Sequence, residues 1–188
     1  MIKIGVTGSL ASGKTTVAKI IKKGNFPYFN ADNCVRNLYK KKIFVQQVKK
    51  KLNIKNNKNI LKEVKKAFLQ DKNVLKKLEK LAHPLVRKEM QRFLISNKNK
   101  KFLILEIPLL IESKLAKYFD IVIFVSSKRK NRVKRYLKKG GDLLTFSFLD
   151  KRQLKESEKM KFCDHVIVNN ESLSVLKIKI TNILKKYD

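Results

Sequence analysis

The sequence predicts an α/β protein in which helices cover both faces of a five-stranded parallel sheet. Three observations carry this. Short apolar segments recur along the chain, and helical periodicity separates them. Two of them, Phe102-Leu103-Ile104-Leu105 and Ile121-Val122-Ile123-Phe124-Val125, are apolar at every position, as in strands buried on both faces. A glycine-bearing turn also joins the first strand directly to the first helix.

In chain order, residues 2–7 alternate and read as the first strand, and 8–13 as a loop. Residues 15–23 read as a helix stopped by Gly24. Residues 26–29 are the second strand. From 33 to 97 only helical periodicity appears. Asp71 reads as a cap within that stretch, and Pro84 opens its last helix. Residues 102–105 are the third strand and 109–119 a helix. The fourth strand, 121–125, is followed by a basic helix capped by Ser126-Ser127 and ending near Lys139. Gly140-Gly141-Asp142 breaks that helix, and Leu143 to Leu149 has unsettled periodicity. A helix over 150–161, a strand over 165–168 and a helix over 172–187 complete the chain. The 188 residues suit a single domain, 1–188, with a helical insert over about 33–97.

Composition removes several function classes. The longest apolar stretch, Phe102 to Ile111, is broken by Glu106 and Pro108, and falls far short of the ~20 residues of a membrane span. The N-terminal apolar run is too short for a signal peptide. Cys34 and Cys163 form no framework, and two His give no recurrent metal-ligand spacing, so a cytoplasmic location is expected. The net charge is +31, from 46 basic and 15 acidic residues. Of the basic residues 39 are Lys and 7 Arg, spread along the chain between the apolar positions of helices. Nucleic-acid readers favour Arg for its bidentate fork. The charge therefore reads as solvated faces, in a composition rich in Lys, Ile and Asn, rather than as a nucleic-acid footprint.

Gly8-Ser9-Leu10-Ala11-Ser12-Gly13-Lys14-Thr15 matches G-x-x-x-x-G-K-[ST] at every fixed position, after a strand and before a helix. Such a loop turns backbone N–H groups and a helix N-terminus onto phosphate oxygens. Gly8, Ala11, Ser12, Gly13, Lys14, Thr15 and Thr16 are therefore candidate ATP-binding residues. Lys14 reaches the β- and γ-phosphates as a catalytic residue, and the Thr15 hydroxyl is a ligand for Mg²⁺. The fold class is thus a P-loop NTPase. No N-K-x-D guanine signature follows, and the helical insert suits a small kinase with its acceptor beneath it.

At this point the chain resembles the dephospho-CoA kinases. The resemblance runs through Ile4-Gly5-Val6-Thr7-Gly8 and the loop, then Asn30-Ala31-Asp32 with Arg36, then Leu78 to Val86 including His83-Pro84-Leu85-Val86. It continues through Pro108-Leu109-Leu110-Ile111-Glu112 and Gln153 to Asp164-His165-Val166-Ile167-Val168-Asn169. It implies transfer of the ATP γ-phosphoryl to the ribose 3′-hydroxyl of dephospho-CoA, with Mg²⁺ as cofactor. It also implies a lid over about 136–155. Where the family usually has Asp-Ala-Asp this chain has Asn30-Ala31-Asp32. Ser9 and Ala11 replace loop glycines, Glu106 an aspartate, and Lys138 or Lys139 a lid arginine.

Each remaining candidate has a functional and a plainer reading. Asp32, at the carboxyl end of the second strand, is by resemblance the catalytic base and an acceptor contact; alternatively it caps a helix starting at Asn33. Arg36 grips acceptor phosphate or is solvated. His83 contacts the acceptor or bonds to backbone at a helix junction. Glu106 ends a buried strand and holds Mg²⁺ through water, or has a structural partner. Arg129, Arg132 and Arg135 flank the lid; Arg132, Arg135 and Lys139 are the expected phosphate contacts there, or surface residues. Asn169 lies near the adenine by family position. The competing functions are another small nucleoside or nucleotide kinase, and a basic nucleic-acid-binding ATPase. The expected partners are ATP and dephospho-CoA, with no membrane and no nucleic acid; the sequence leaves the oligomeric state open.

Overall fold

A computed structural model describes residues 1–55, 59–71 and 73–187. Within the insert expected over 33–97, residues 56–58 and 72 lie outside the described residues, as does the last residue of the expected domain. The chain divides into two compact units, residues 1–30 with 97–188, and residues 31–96.

The first unit is built on a five-stranded sheet of β1 (Ile2–Gly8), β2 (Tyr28–Asn30), β3 (Phe102–Glu106), β4 (Ile121–Ser126) and β5 (His165–Val168). All pairings are parallel, and the order is β2-β3-β1-β4-β5. β3 from Phe102 to Leu105 and β4 from Ile121 to Val125 are apolar at every position because both faces are covered. On one face Ile4, Val6, Phe102, Ile104, Ile121, Ile123 and Val125 meet Val17, Ala18 and Ile21 of α1 (Lys14–Lys22), and Leu176 and Ile180 of α9 (Leu173–Leu184). On the other, Gly5 lies so close to Leu110 and Phe119 that a Cβ would come within 2.8 Å and 3.0 Å of their side chains.

That second face corrects an expectation. Residues 109–119 are not a helix but a chain of turns ending in one 3₁₀ turn, Ala116–Tyr118. Lys114 adopts a left-handed φ of 55°, which a continuous α-helix excludes. Beyond β4, α6 (Arg129–Lys138) begins two residues later than the serines suggested, with Lys128 at the cap position. Leu143 to Leu149 is helical after all. α7 (Leu143–Arg152) is capped by Asp142, whose Oδ1 accepts the Thr145 N–H at 2.8 Å. The helix expected over 150–161 is split, with α8 (Glu156–Met160) starting only after the extended Gln153.

The second unit contains α2 (Ala31–Leu38), α3 (Lys42–Leu52), α4 (Ile60–Gln70) and α5 (Asn73–Ser96). Its core includes Leu38, Phe44, Val48, Val64, Phe68, Val74, Leu78 and Ala82. Pro84 does not open a helix; it sits inside α5. Proline removes one backbone donor, and burial along the Val74, Leu78, Ala82 side offsets that loss. Asp71 closes α4, and its Oδ1 accepts the Asn73 N–H at 2.8 Å.

Candidate active site

β1 ends at Gly8 and α1 begins at Lys14, so the sequence motif occupies the turn between them. Two of its glycines are demanded by space as well as by backbone. Gly8 has φ +146°, and a Cβ there would lie 2.2 Å from the Val125 carbonyl oxygen. Gly13 has φ +105°, and a Cβ would lie 2.1 Å from Asn169 Nδ2. That amide donates to the Ser12 carbonyl at 2.8 Å, and Arg135 Nη1 donates to the same oxygen at 3.0 Å. In a trans peptide the carbonyl and the next N–H point opposite ways. Holding the Ser12 carbonyl outward therefore turns the Gly13 N–H inward. Lys14 lies on that inner side: its buried Nζ donates to the Gly8 carbonyl at 3.1 Å and the Ser9 carbonyl at 2.8 Å. The Ser12 Oγ is buried there without a hydrogen-bond partner, while Thr16 is exposed.

Glu106 is 2% exposed at the end of β3. The β2–β3 register places Asn30 opposite it, and the β1–β3 register places Val6 on its other side. Thr15 Oγ1 donates to Glu106 Oε1 at 2.7 Å. Tyr28 OH and Asn30 Nδ2 both donate to Oε2, and Asn30 also donates to the Tyr28 hydroxyl at 2.9 Å. Three neutral donors thus surround the buried Glu106 carboxyl group. A hard divalent cation takes such oxygen donors, so the pair of Thr15 and Glu106 fits Mg²⁺.

Arg132 and Arg135 project from α6 at the loop's carbonyls. Arg135 Nη1 also donates to Ser127 Oγ at 3.1 Å, and its Nη2 to the Asn169 carbonyl at 2.9 Å. Arg132 is engaged with Ser127, Leu10 and Asp150. Arg129 is largely exposed, 4.0 Å from Asp150, and Lys139 is an exposed residue at the end of α6. Asn169 is buried against the loop through Ser12.

Several residues given no role by sequence reasoning also hold the loop. The Leu10 N–H donates to Gln153 Oε1 at 3.2 Å. Ser9 Oγ donates to Glu156 Oε1, whose other oxygen accepts from Ser126 Oγ at 2.6 Å. Lys159 is fully buried, paired with Glu112 Oε1 at 2.7 Å and donating to Gln153 Oε1 at 3.2 Å. Gln153 and Glu112 lay in segments that carried the resemblance, and that was the one available signal. Nothing in the pattern of α8 separates Glu156 and Lys159 from surface charges.

The remaining candidates belong to the second unit. Asp32 is the second residue of α2 rather than a cap before it, and is exposed. Arg36 is exposed in the last turn of that helix, and His83 is half-buried within α5.

The sequence pattern of the dephospho-CoA kinase family matches residues 2–174. A dephospho-CoA kinase of Rickettsia typhi is 31% identical over 189 residues, covering 100% of this chain and 98% of the relative. One of Bartonella henselae is 30% identical, covering 97% of this chain and 96% of its own. Among solved structures, a dephospho-CoA kinase from Campylobacter jejuni is 25% identical with a TM-score of 0.68, covering 98% and 96% of the two chains. A shikimate kinase from Acinetobacter baumannii, 14% identical, shares the fold with a TM-score of 0.55, covering 100% and 93%.

Proposed function

The chain belongs to the dephospho-CoA kinase family and carries its activity, ATP-dependent phosphorylation of dephospho-CoA to CoA; we propose the following division of that work among its residues. The γ-phosphoryl goes to the ribose 3′-hydroxyl, in the cytoplasm. The loop from Gly8 to Thr16 binds the ATP phosphates, with Ala11, Ser12 and Gly13 around them, and Lys14 stabilises the charge that spreads over the transferring group. The arrangement that supports this best is the inward Gly13 amide beside Lys14, followed directly by Thr15 with its hydroxyl on Glu106. Thr15 and Glu106 are the residues that would hold Mg²⁺. The ion, when bound, neutralises phosphate charge.

Asp32 orients the acceptor hydroxyl and takes its proton. A ribose hydroxyl is a poor nucleophile until its proton has a place to go. Asn30 cannot serve, because an amide takes no proton at neutral pH and this one already donates to Glu106. Arg36 and His83 contact the acceptor, Asn169 lies near the adenine, and residues of about 136–155 act as the lid, with Lys139 for the usual arginine. The experiment is direct: incubate the protein with ATP, Mg²⁺ and dephospho-CoA, and identify the product by mass. CoA and ADP in equal amounts are expected. Phosphorylation of AMP or shikimate but not dephospho-CoA would refute the reading.

A further inference from the structure

We propose that Arg132 is a positioning residue of the phosphate loop, locked by Asp150, and not a ligand of phosphate. The inference rests on the reading of Gly8–Thr16 as an ATP site.

The guanidinium is spent on protein groups. Arg132 Nε donates to the Ser127 carbonyl at 3.1 Å, Nη1 to the Leu10 carbonyl at 3.3 Å and Asp150 Oδ1 at 2.5 Å, and Nη2 to Asp150 Oδ2 at 3.3 Å. Its side chain is 9% exposed, and Cζ stands 5.6 Å from the centre of the Phe146 ring. Asp150 and Phe146 both come from α7, so Arg132 ties α6, α7, the end of β4 and the loop together. A fork paired with a carboxylate on one edge and stacked on a ring offers little net field to a triphosphate.

What it offers is geometry. The Leu10–Ala11 peptide is turned by the Arg132 contact in the same sense as Arg135 and Asn169 turn the Ser12–Gly13 peptide. With the Leu10 carbonyl held outward, the Ala11 N–H faces inward. In the preceding peptide the Leu10 N–H points outward to Gln153, and the Ser9 carbonyl opposite it accepts from Lys14 Nζ. Ala11 holds this orientation at φ +58°, a left-handed conformation that alanine leaves readily unless its surroundings impose it. Arg132 is the imposing group, and Asp150 keeps it there.

The two readings of Arg132 predict opposite signs for Asp150→Asn. If Arg132 and the neighbouring Arg129 were phosphate ligands, removing the carboxylate would free them and tighten ATP binding. As a brace, Arg132 loses its lock and ATP binds more weakly. Calorimetric titration with ATP·Mg²⁺, without acceptor, reads this even if dephospho-CoA is not the substrate. The expected result is affinity weakened about 3- to 10-fold for Asp150→Asn and about tenfold or more for Arg132→Gln. In turnover the KM for ATP should rise, while kcat and the acceptor KM stay within about threefold. Arg132→Lys keeps the charge but cannot serve Leu10, Ser127 and Asp150 together, so it should not restore affinity. Unchanged or tighter ATP binding in Asp150→Asn, or full recovery in Arg132→Lys, would overturn the proposal. Should Arg132→Gln fail to fold, the near-isosteric Asp150→Asn decides alone. A wild type that binds ATP but does not phosphorylate dephospho-CoA would sink the functional reading and leave this one standing.

Discussion

Replacing Asn30 by aspartate sets a second carboxylate against Glu106, and the size of the effect follows from the contacts. The Asn30 amide donates to Glu106 Oε2 and to the Tyr28 hydroxyl. Asn30→Asp removes that donor and puts an acceptor in its place. Losing a hydrogen bond to a buried acceptor costs about 1–3 kcal/mol, and the new acceptor–acceptor contact adds to it, against a total of about 5–15 kcal/mol for a typical domain. Urea unfolding of both proteins at pH 7 measures this as a lower midpoint for Asn30→Asp at an unchanged slope. An unchanged midpoint would show that Asn30 does not serve as a donor to Glu106.

Three further outcomes follow from the site. Lys14→Ala should lower turnover by roughly 10²–10³-fold with an unchanged far-ultraviolet circular dichroism spectrum, and near-normal turnover would remove Lys14 from the chemistry. Asp32→Asn should keep ATP affinity yet lose roughly 10²–10⁴-fold in kcat, with no rescue by adding Asn30→Asp; retention of more than about a third of kcat would end the base assignment. Burial, with the Asp164 charge behind it, pushes the Cys163 thiol up to about 11 from 9.0. At pH 8 only about one thiol in 1000 is then thiolate, so iodoacetamide should label folded Cys163 roughly 100-fold more slowly than the urea-unfolded chain. The same shift removes stability between about pH 9 and 11, where the unfolded thiol ionises first. Equal labelling rates would contradict the burial.

How much could be read in the chain depended on how local each determinant is. β3 and β4 were legible because a strand buried on both faces must be apolar at every position. The loop was legible because its glycines, lysine and threonine form one contiguous motif whose conformation is set by their own backbone and immediate neighbours. The turns of 109–119 were not, since Leu110, Ile111 and Leu115 suit a helix, and nothing in the local pattern marks the left-handed Lys114 that a helix would exclude. Pro84 misled in the opposite direction: a strong local breaker was overridden by the packing of a long helix. Lys159 escaped, and Arg132 was read as a phosphate contact without its partner, because long flexible side chains show their direction only once Asp150 and Glu112 are in place.

The departures from the family pattern have a common physical logic. Asn30, where an aspartate is usual, supplies a donor to Glu106, which stands where the family has the shorter aspartate. The longer side chain reaches Thr15, Tyr28 and Asn30 at once. Ser9 replaces a glycine at a position with no left-handed φ, so a side chain costs nothing there, and its hydroxyl finds Glu156. Ala11 is the harder case. Its φ of +58° costs an alanine about 1 kcal/mol that glycine would not incur. A loop with fewer glycines has fewer ways to relax, and here its peptides are held from outside by Gln153, Arg132, Arg135 and Asn169. Rigidity imposed by four side chains does in this chain what backbone freedom, settled by the ligand, would do in a glycine-rich loop. On the proposed ATP site, the N–H groups aimed at the phosphates would be oriented before ATP arrives, and less of the binding energy would go into ordering them.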